Sequence, residues 1–241
     1  MKRLAISALT LSLSAISGNS LANLSKDNFY LKGSVGASWG KVHRLTLADG
    51  KYSNISTYFN THDKSGSYGF ALGYSNPIQN FPFDVELQTL HINRQTFKMG
   101  ALYPTEDNYH DFNNLTISSN AILINIIHSW VWGSSYKPFL GAGAGLSFNK
   151  TAANFVSDTD LGYSGFWPAK TRANFAYDFL AGVSYRLNSQ LDLSIIYQYF
   201  GLGKAATRDT VLTTEGLKTP SNFFAKQFST NNIIFAITYK F

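Results

Sequence analysis

Counted back from the carboxy terminus, every second residue is apolar: Phe241, Tyr239, Ile237, Phe235 and Ile233, with Lys240, Thr238, Ala236, Ile234 and Asn232 between them. A period of two marks a strand whose two faces meet different media. The same alternation recurs upstream. Phe29 to Trp39 sets Phe29, Leu31, Val35, Ala37 and Trp39 against Tyr30, Lys32, Ser34, Gly36 and Ser38, and Ser67 to Ser75 sets Tyr68, Phe70, Leu72 and Tyr74 against Gly69, Ala71 and Gly73. Phe83 to Arg94 opens with Phe83, Val85 and Leu87 against Asp84, Glu86 and Gln88; Leu90 and Ile92 then carry the apolar phase. A β-bulge at Thr89-Leu90 would produce that slip, and a misreading of the register over Thr89 to Ile92 accounts for it equally well.

Leu115 to Trp130 is irregular over Leu115 to Ala121, where its register is undefined, but then sets Ile122, Ile124 and Ile126 against Leu123, Asn125 and Ile127. Lys137 to Phe148 sets Leu140, Ala142, Ala144, Leu146 and Phe148 against glycines and Ser147. Ala173 to Leu187 sets Phe175, Tyr177, Phe179, Ala181, Val183 and Tyr185 against Asn174, Asp178, Gly182, Ser184 and Arg186. Leu191 to Leu202 sets Leu191, Leu193, Ile195, Tyr197 and Tyr199 against Asp192, Ser194, Ile196 and Gln198.

These eight stretches are joined alternately by long and short links. Residues 40–66, 95–114, 149–172 and 203–227 are long and polar; Asn76-Pro77 with Pro82, Val131 to Tyr136, and Asn188-Ser189-Gln190 form short turns. A meander with an even number of strands and both ends on one side places all its long links at the other end. The rhythm predicts an all-β fold, an eight-stranded antiparallel up-and-down transmembrane β-barrel with four long extracellular loops and three short periplasmic turns.

Which face is outward follows from the polar phase, since a soluble barrel alternates as well. A water-facing set would be crowded with Lys and Glu. Here it is Gly, Ser, Ala and Asn, small residues suited to the cramped interior of eight strands. Beyond residue 22, 21 of the 32 charges fall in the four long links. The outward set also carries rings near the strand ends: Phe29, Tyr74, Phe83, Trp130, Tyr185, Tyr239 and Phe241 toward one rim, and Trp39, Tyr68, Phe148, Phe175 and Tyr199 toward the other. Rings with polar tips favour the headgroup level, so two girdles are expected.

Composition agrees. Charged residues are 14% of the 241, aromatics 15%, and there is no cysteine. Disulfides, thiolate zinc sites and thiol nucleophiles are thereby excluded. Lys2 and Arg3 precede an apolar run from Leu4 to Ile16, and Ser20-Leu21-Ala22 offers small residues for cleavage. Residues 1–22 therefore read as a signal peptide removed after Ala22, and 23–241 as one barrel domain.

The inward phase holds Lys32, Asp84, Glu86, Asp178, Arg186, Asp192 and Lys240, which in a narrow lumen should pair into a charge network that plugs and orders the barrel. Five histidines, His43, His62, His91, His110 and His128, form no metal-ligand spacing, and His128-Ser129 point to opposite faces of a strand. Catalytic, metal and cofactor sites are not expected. The long links sum to +2, −2, +1 and +2 in order, a mildly basic surface.

Phe29-Tyr30-Leu31-Lys32-Gly33, Phe139 to Gly145, Ala181 to Arg186 before a tight turn, and the closing Tyr239-Lys240-Phe241 resemble the small outer-membrane barrel proteins of the OmpA transmembrane-domain, OmpX and opacity-protein type. That resemblance implies residence in the outer membrane of a Gram-negative bacterium with both termini periplasmic. It implies that Phe241, Tyr239 and Ile237 form a C-terminal signal read by the barrel-assembly machinery. It also implies contact with outer-membrane lipid and lipopolysaccharide, and a monomer without nucleic-acid partners. The function expected is structural and surface-interacting, with loops that contact a host-surface or matrix ligand. A narrow channel for small or apolar solutes and a lipid-A-modifying barrel enzyme are the alternatives.

Overall fold

The computed structural model describes residues 28–48, 56–75, 83–103, 109–133, 135–157, 164–214, 216, 218–220 and 222–241. The strands in chain order are Phe29–Ala48 (β1), Ser56–Phe59 (β2), His62–Ser75 (β3), Phe83–Tyr103 (β4), Tyr109–Ser129 (β5), Tyr136–Ser157 (β6), Ser164–Arg186 (β7), Leu191–Ala206 (β8), Val211–Thr213 (β9), Lys218–Thr219 (β10) and Asn222–Lys240 (β11). Eight long antiparallel strands (β1, β3, β4, β5, β6, β7, β8 and β11) pair with their neighbours in sequence, and β11 returns to pair with β1. The eight long strands close into a barrel, while β2 adds to β4 alone and β9 and β10 extend from β7 at the far end. The expected leader at 1–22, its cleavage point, and the Asn76-Pro77/Pro82 link lie outside the described residues.

The ladder fixes the size of the barrel. Stepping across paired residues runs from Tyr30 to Gly73, Glu86, Asn125, Gly143, Asp178, Phe200, Thr230 and back to β1 at Gly40. The path returns ten residues further along the strand it left. Eight strands with a shear of ten tilt by about 40° from the barrel axis. The ten steps from Phe29 to Trp39, at a rise of about 3.3 Å and that tilt, span about 25 Å, the height of a transmembrane barrel's apolar band.

The strands run well past that band, and this departs from the sequence reading. β4 continues to Tyr103 and β5 begins at Tyr109, so most of the 95–114 link is hairpin. Likewise β6 and β7 take up all but 158–163 of the 149–172 link. The reason lies in the inward residues. Phe97, Leu115, Ile117, Phe155, Trp167, Phe223 and Phe228 are buried toward this end, while the outward set is mostly polar apart from exposed Val156 and Phe166. Apolar-out gives way to apolar-in, as in a barrel whose outside meets water.

Of the two readings of the apparent slip at Thr89-Leu90, the misread register is the one that holds, and there is no bulge there. β4 pairs with β5 without interruption from Phe83 to Ile92, and the irregularity falls between Ile92 and Gln95. Leu90 and Ile92, at 3% and 0% exposure, face inward in the same register as Glu86 and Gln88. β5 likewise holds one register across Leu115 to Ala121 against β6. A second irregularity, between Ala225 and Ser229 in β11, sits opposite Gly203, whose φ of 75° suits glycine at a bulge.

Candidate functional site

The lumen begins, at the end bearing the short turns, with a polar mouth of about 250 Å³. Tyr30, Lys32, Asp84, Lys137, Asp192 and Lys240 line it. Lys240 pairs with Asp192 across β11 and β8. Deeper in, Lys32 pairs with Glu86, and Tyr30 Oη donates to Glu86 Oε2 at 3.1 Å. The Lys32 ammonium also lies 5.6 Å from the centre of the Tyr30 ring. A carboxylate this deep is tolerable because it has both a countercharge and a donor.

Above Glu86 the network turns from charge to amide. Gln88 Oε1 accepts from Asn125 Nδ2 at 2.9 Å and from Gln198 Nε2 at 3.0 Å, and Gln198 Nε2 also donates to Asp178 Oδ2. Asn232 Nδ2 donates to the Gln198 carbonyl at 3.1 Å. Gly143 makes room for this layer: a Cβ there would lie 1.9 Å from Asn125 Oδ1 and 2.4 Å from Asp178 Oδ1.

The next level is apolar. Leu123, Phe200, Leu202, Phe228 and Ile92 are fully buried, and the rings of Phe97 and Phe228 meet edge to face at 6.2 Å. Further up, Trp167 packs between Phe155 at 5.4 Å and Phe223 at 4.6 Å. The interior therefore holds large side chains as well as the small ones expected. Gly141 and Gly143 of β6 leave the space that Leu180 and Asn125 fill, and Gly182 of β7 leaves room for Phe139.

Of the seven charges expected in the lumen, the structure brings together Lys32 with Glu86 and Lys240 with Asp192, and places Asp84 at the mouth. Asp178 stands among amides without an ion pair in the described residues. Arg186, in contrast, is exposed at the last position of β7 and belongs to the rim. Lys137, absent from the expected set, faces the mouth instead. Its odd position in β6, shared with the inward Gly141 and Gly143, was the available signal.

His43 on β1 and His62 on β3 stand near enough to repel each other when charged, but the other histidines lie apart. His91 Nδ1 lies 2.7 Å from Asn120 Oδ1 with its ring against Tyr68, His128 packs on Trp130, and His62 Nδ1 lies 3.1 Å from Thr61 Oγ1. His110 falls where side chains are not described. Among the described residues, no three His, Asp or Glu side chains group as a metal site would require.

The outer wall completes the geometry. Leu31, Val35, Phe70, Leu72, Ile124, Ile126, Phe179, Ile195, Phe235 and Ile237 are exposed large apolar side chains between the two ends. Ring pairs bound the band at the turn end: Phe29 with Tyr74 at 4.8 Å, Tyr136 with Tyr185 at 5.1 Å, and Tyr239 with Phe241 at 5.4 Å. At the other end stand Trp39, Tyr68 and Phe175, with Tyr177 and Tyr199 at 6.2 Å. So much apolar surface has a place only in lipid.

A closed eight-stranded barrel with that band and a filled interior is an integral barrel of the Gram-negative outer membrane. The chain belongs to the outer membrane protein beta-barrel domain family, whose model matches residues 8–241. A Rickettsia conorii protein named "Putative adhesin RC1281" is 27% identical over 214 residues, covering 86% of this chain and 80% of the relative. An uncharacterized Brucella suis protein is 27% identical over 197 residues, covering 71% of this chain and 66% of its own. Among solved structures, Neisserial surface protein A is 16% identical with a TM-score of 0.49, over 89% of this chain and 97% of that one.

Proposed function

We propose that this protein is a surface-interaction barrel that presents the connections between its extended strands to a host-surface or matrix ligand. The termini and short turns face the periplasm in this reading, and the extended end faces outward. The observation that carries it is the continuation of the ladders past the outer aromatic belt with an apolar core inside. That build makes a stiff pedestal for four connections, and binding residues are characteristically held on loops over a rigid scaffold. The adhesin name of the Rickettsia relative points the same way.

The filled lumen favours this reading over a channel, since Phe97, Phe200 and Phe228 are buried inside the barrel with no exposure. The charge pairs act as an ordering plug, and Phe241, Tyr239 and Ile237 as the assembly signal. The test is display of the full chain on cells that lack it, with residues 49–55, 104–108, 158–163 and 215–221 each replaced by a Gly-Ser linker. Adhesion to host cells or matrix should drop for at least one replacement while the barrel still migrates as folded. Unchanged adhesion in all four, or a steady conductance in planar bilayers, would overturn the proposal.

A further inference from the structure

The amide layer of the lumen almost closes on itself. Gln198 Nε2 donates to Gln88 Oε1 at 3.0 Å and to Asp178 Oδ2, and Asn125 Nδ2 donates to Gln88 Oε1 at 2.9 Å. The remaining side lies between Asn125 Oδ1 and Asp178 Oδ1, two buried acceptors that no described group serves as donor. They lie 1.9 and 2.4 Å from the point a Gly143 Cβ would occupy, so they are at most 4.3 Å apart. A buried acceptor without a donor is costly, and two set side by side repel each other.

Turning the amides round does not remove the conflict. An ionised carboxylate only accepts, so it needs one N–H from Gln198 and another from Asn125. Gln198 presents the same nitrogen to Gln88, which must then meet it with oxygen. Asn125, having turned its nitrogen to Asp178, meets that oxygen with its own. One mismatched contact is left whichever way Asn125, Gln88 and Gln198 are oriented. A single proton on the carboxyl removes it.

We propose that Asp178 is a carboxylic acid in the folded barrel, donating from Oδ1 to Asn125 Oδ1, and that this proton locks the plug by closing a ring of four side chains. Each of the four contacts then has one donor and one acceptor. The charged group acting on Asp178 is Glu86 of β4, itself an anion, and Lys32 and Tyr30 of β1 are committed to Glu86. β5, β6, β8 and β11 present the neutral Asn125, Gly143, Gln198 and Asn232 at this level. A carboxylate here would be buried with no countercharge of its own among the described residues.

The lock makes stability depend on pH. A carboxyl in the unfolded chain loses its proton at about pH 3.9. Above that the folded barrel holds one proton more than the unfolded chain. Stability therefore falls as pH rises, with the unfolding constant growing up to about tenfold per pH unit until the ring itself ionises.

The test uses the full barrel refolded in phospholipid vesicles. Infrared spectra in heavy water at neutral pH should show the carbonyl band of a protonated carboxylic acid. Asp178→Asn should remove that band, and Asp84→Asn, Glu86→Gln and Asp192→Asn should each keep it. Those three variants assign the band by elimination if Asp178→Asn does not fold. The amide in Asp178→Asn can donate to Asn125 and accept from Gln198 as the acid does, so this variant should fold and lose only the pH dependence. The ratio of unfolding constants, native over Asp178→Asn, should climb with pH by up to about tenfold per unit. Absence of the acid band from the native barrel, its survival in Asp178→Asn, or a ratio that ignores pH would overturn the lock. So would saturable stabilisation of the native barrel by sodium chloride that Asp178→Asn lacks, because a bound cation would then hold the two oxygens in place of the proton.

Discussion

Removing the Lys32 ammonium is the sharpest perturbation available in the lumen. The Lys32 side chain is 12% exposed and that of Glu86 1%. In Lys32→Met the Glu86 carboxylate would keep the Tyr30 hydroxyl and lose its countercharge, with almost no access to water. Orphaning one member of a buried pair costs about 3–5 kcal/mol. The Lys240–Asp192 pair at the mouth is the internal control. Lys240 is 25% exposed and Lys137 lines the same mouth beside Asp192, so Lys240→Met should cost less than Lys32→Met although Asp192 is itself only 8% exposed. Adding Glu86→Gln to Lys32→Met removes the stranded charge while leaving an acceptor for Tyr30, and should bring stability back to within about 1 kcal/mol of the native chain. The assay is guanidinium unfolding of the barrel in phospholipid vesicles, followed by Trp fluorescence and by gel mobility. A loss below about 1 kcal/mol for Lys32→Met, or no recovery in the double variant, would refute the claim that Glu86 depends on Lys32.

Phe228→Ala should cost about 3–5 kcal/mol by opening a cavity beside Phe97, measured in the same unfolding assay. Gly143→Val should block folding, read as loss of the heat-modifiable band, because its Cβ would collide with Asn125 and Asp178. The bonds from Asn222 and then Lys170 hold the Asp209 carboxyl below its ordinary range. A depressed folded value means the contribution is complete above the unfolded value, about 3.9, and is lost as pH falls through the lower folded one. The Asn222 side-chain amide resonances should therefore stay fixed from neutral pH to about 4 and move only below it. Deleting Phe241 should lower surface levels more than replacing any of the four connections, counted by whole-cell immunolabelling.

How much of this was legible depended on which face a residue served. In the band, outward Leu31, Val35 and Phe70 alternate with small or polar partners, so the strands and their order could be read directly. Beyond Trp39 the outward positions become Lys41 and His43, and the periodicity keyed to lipid stops although the ladder does not. The inward Phe97, Phe155 and Trp167 that sustain it sit in stretches whose composition resembles loops. Leu90 and Ile92 misled for a related reason: their outward neighbours Thr89 and His91 happen to be polar, so an unbroken register looked like a slip. In the lumen, parity put Lys32 and Glu86 on one face, where the two side chains pair. It could not separate Arg186 at the rim from residues inside, because alternation carries no information about depth.

The continued wall divides the chain into parts with different freedom to change. From Phe148 to Ser157, β6 climbs about 23 Å beyond the belt, packed inside and hydrogen-bonded on both sides. A substitution there must satisfy the core and two neighbouring strands. For a connection between strands, doubling its length costs only about 0.6 kcal/mol in closure entropy. Variation under immune or receptor pressure can therefore accumulate in residues 49–55, 104–108, 158–163 and 215–221 while the pedestal is held constant. Sequences of related barrels should differ most in length at those four places, and least along the inward row from Tyr30 to Thr230.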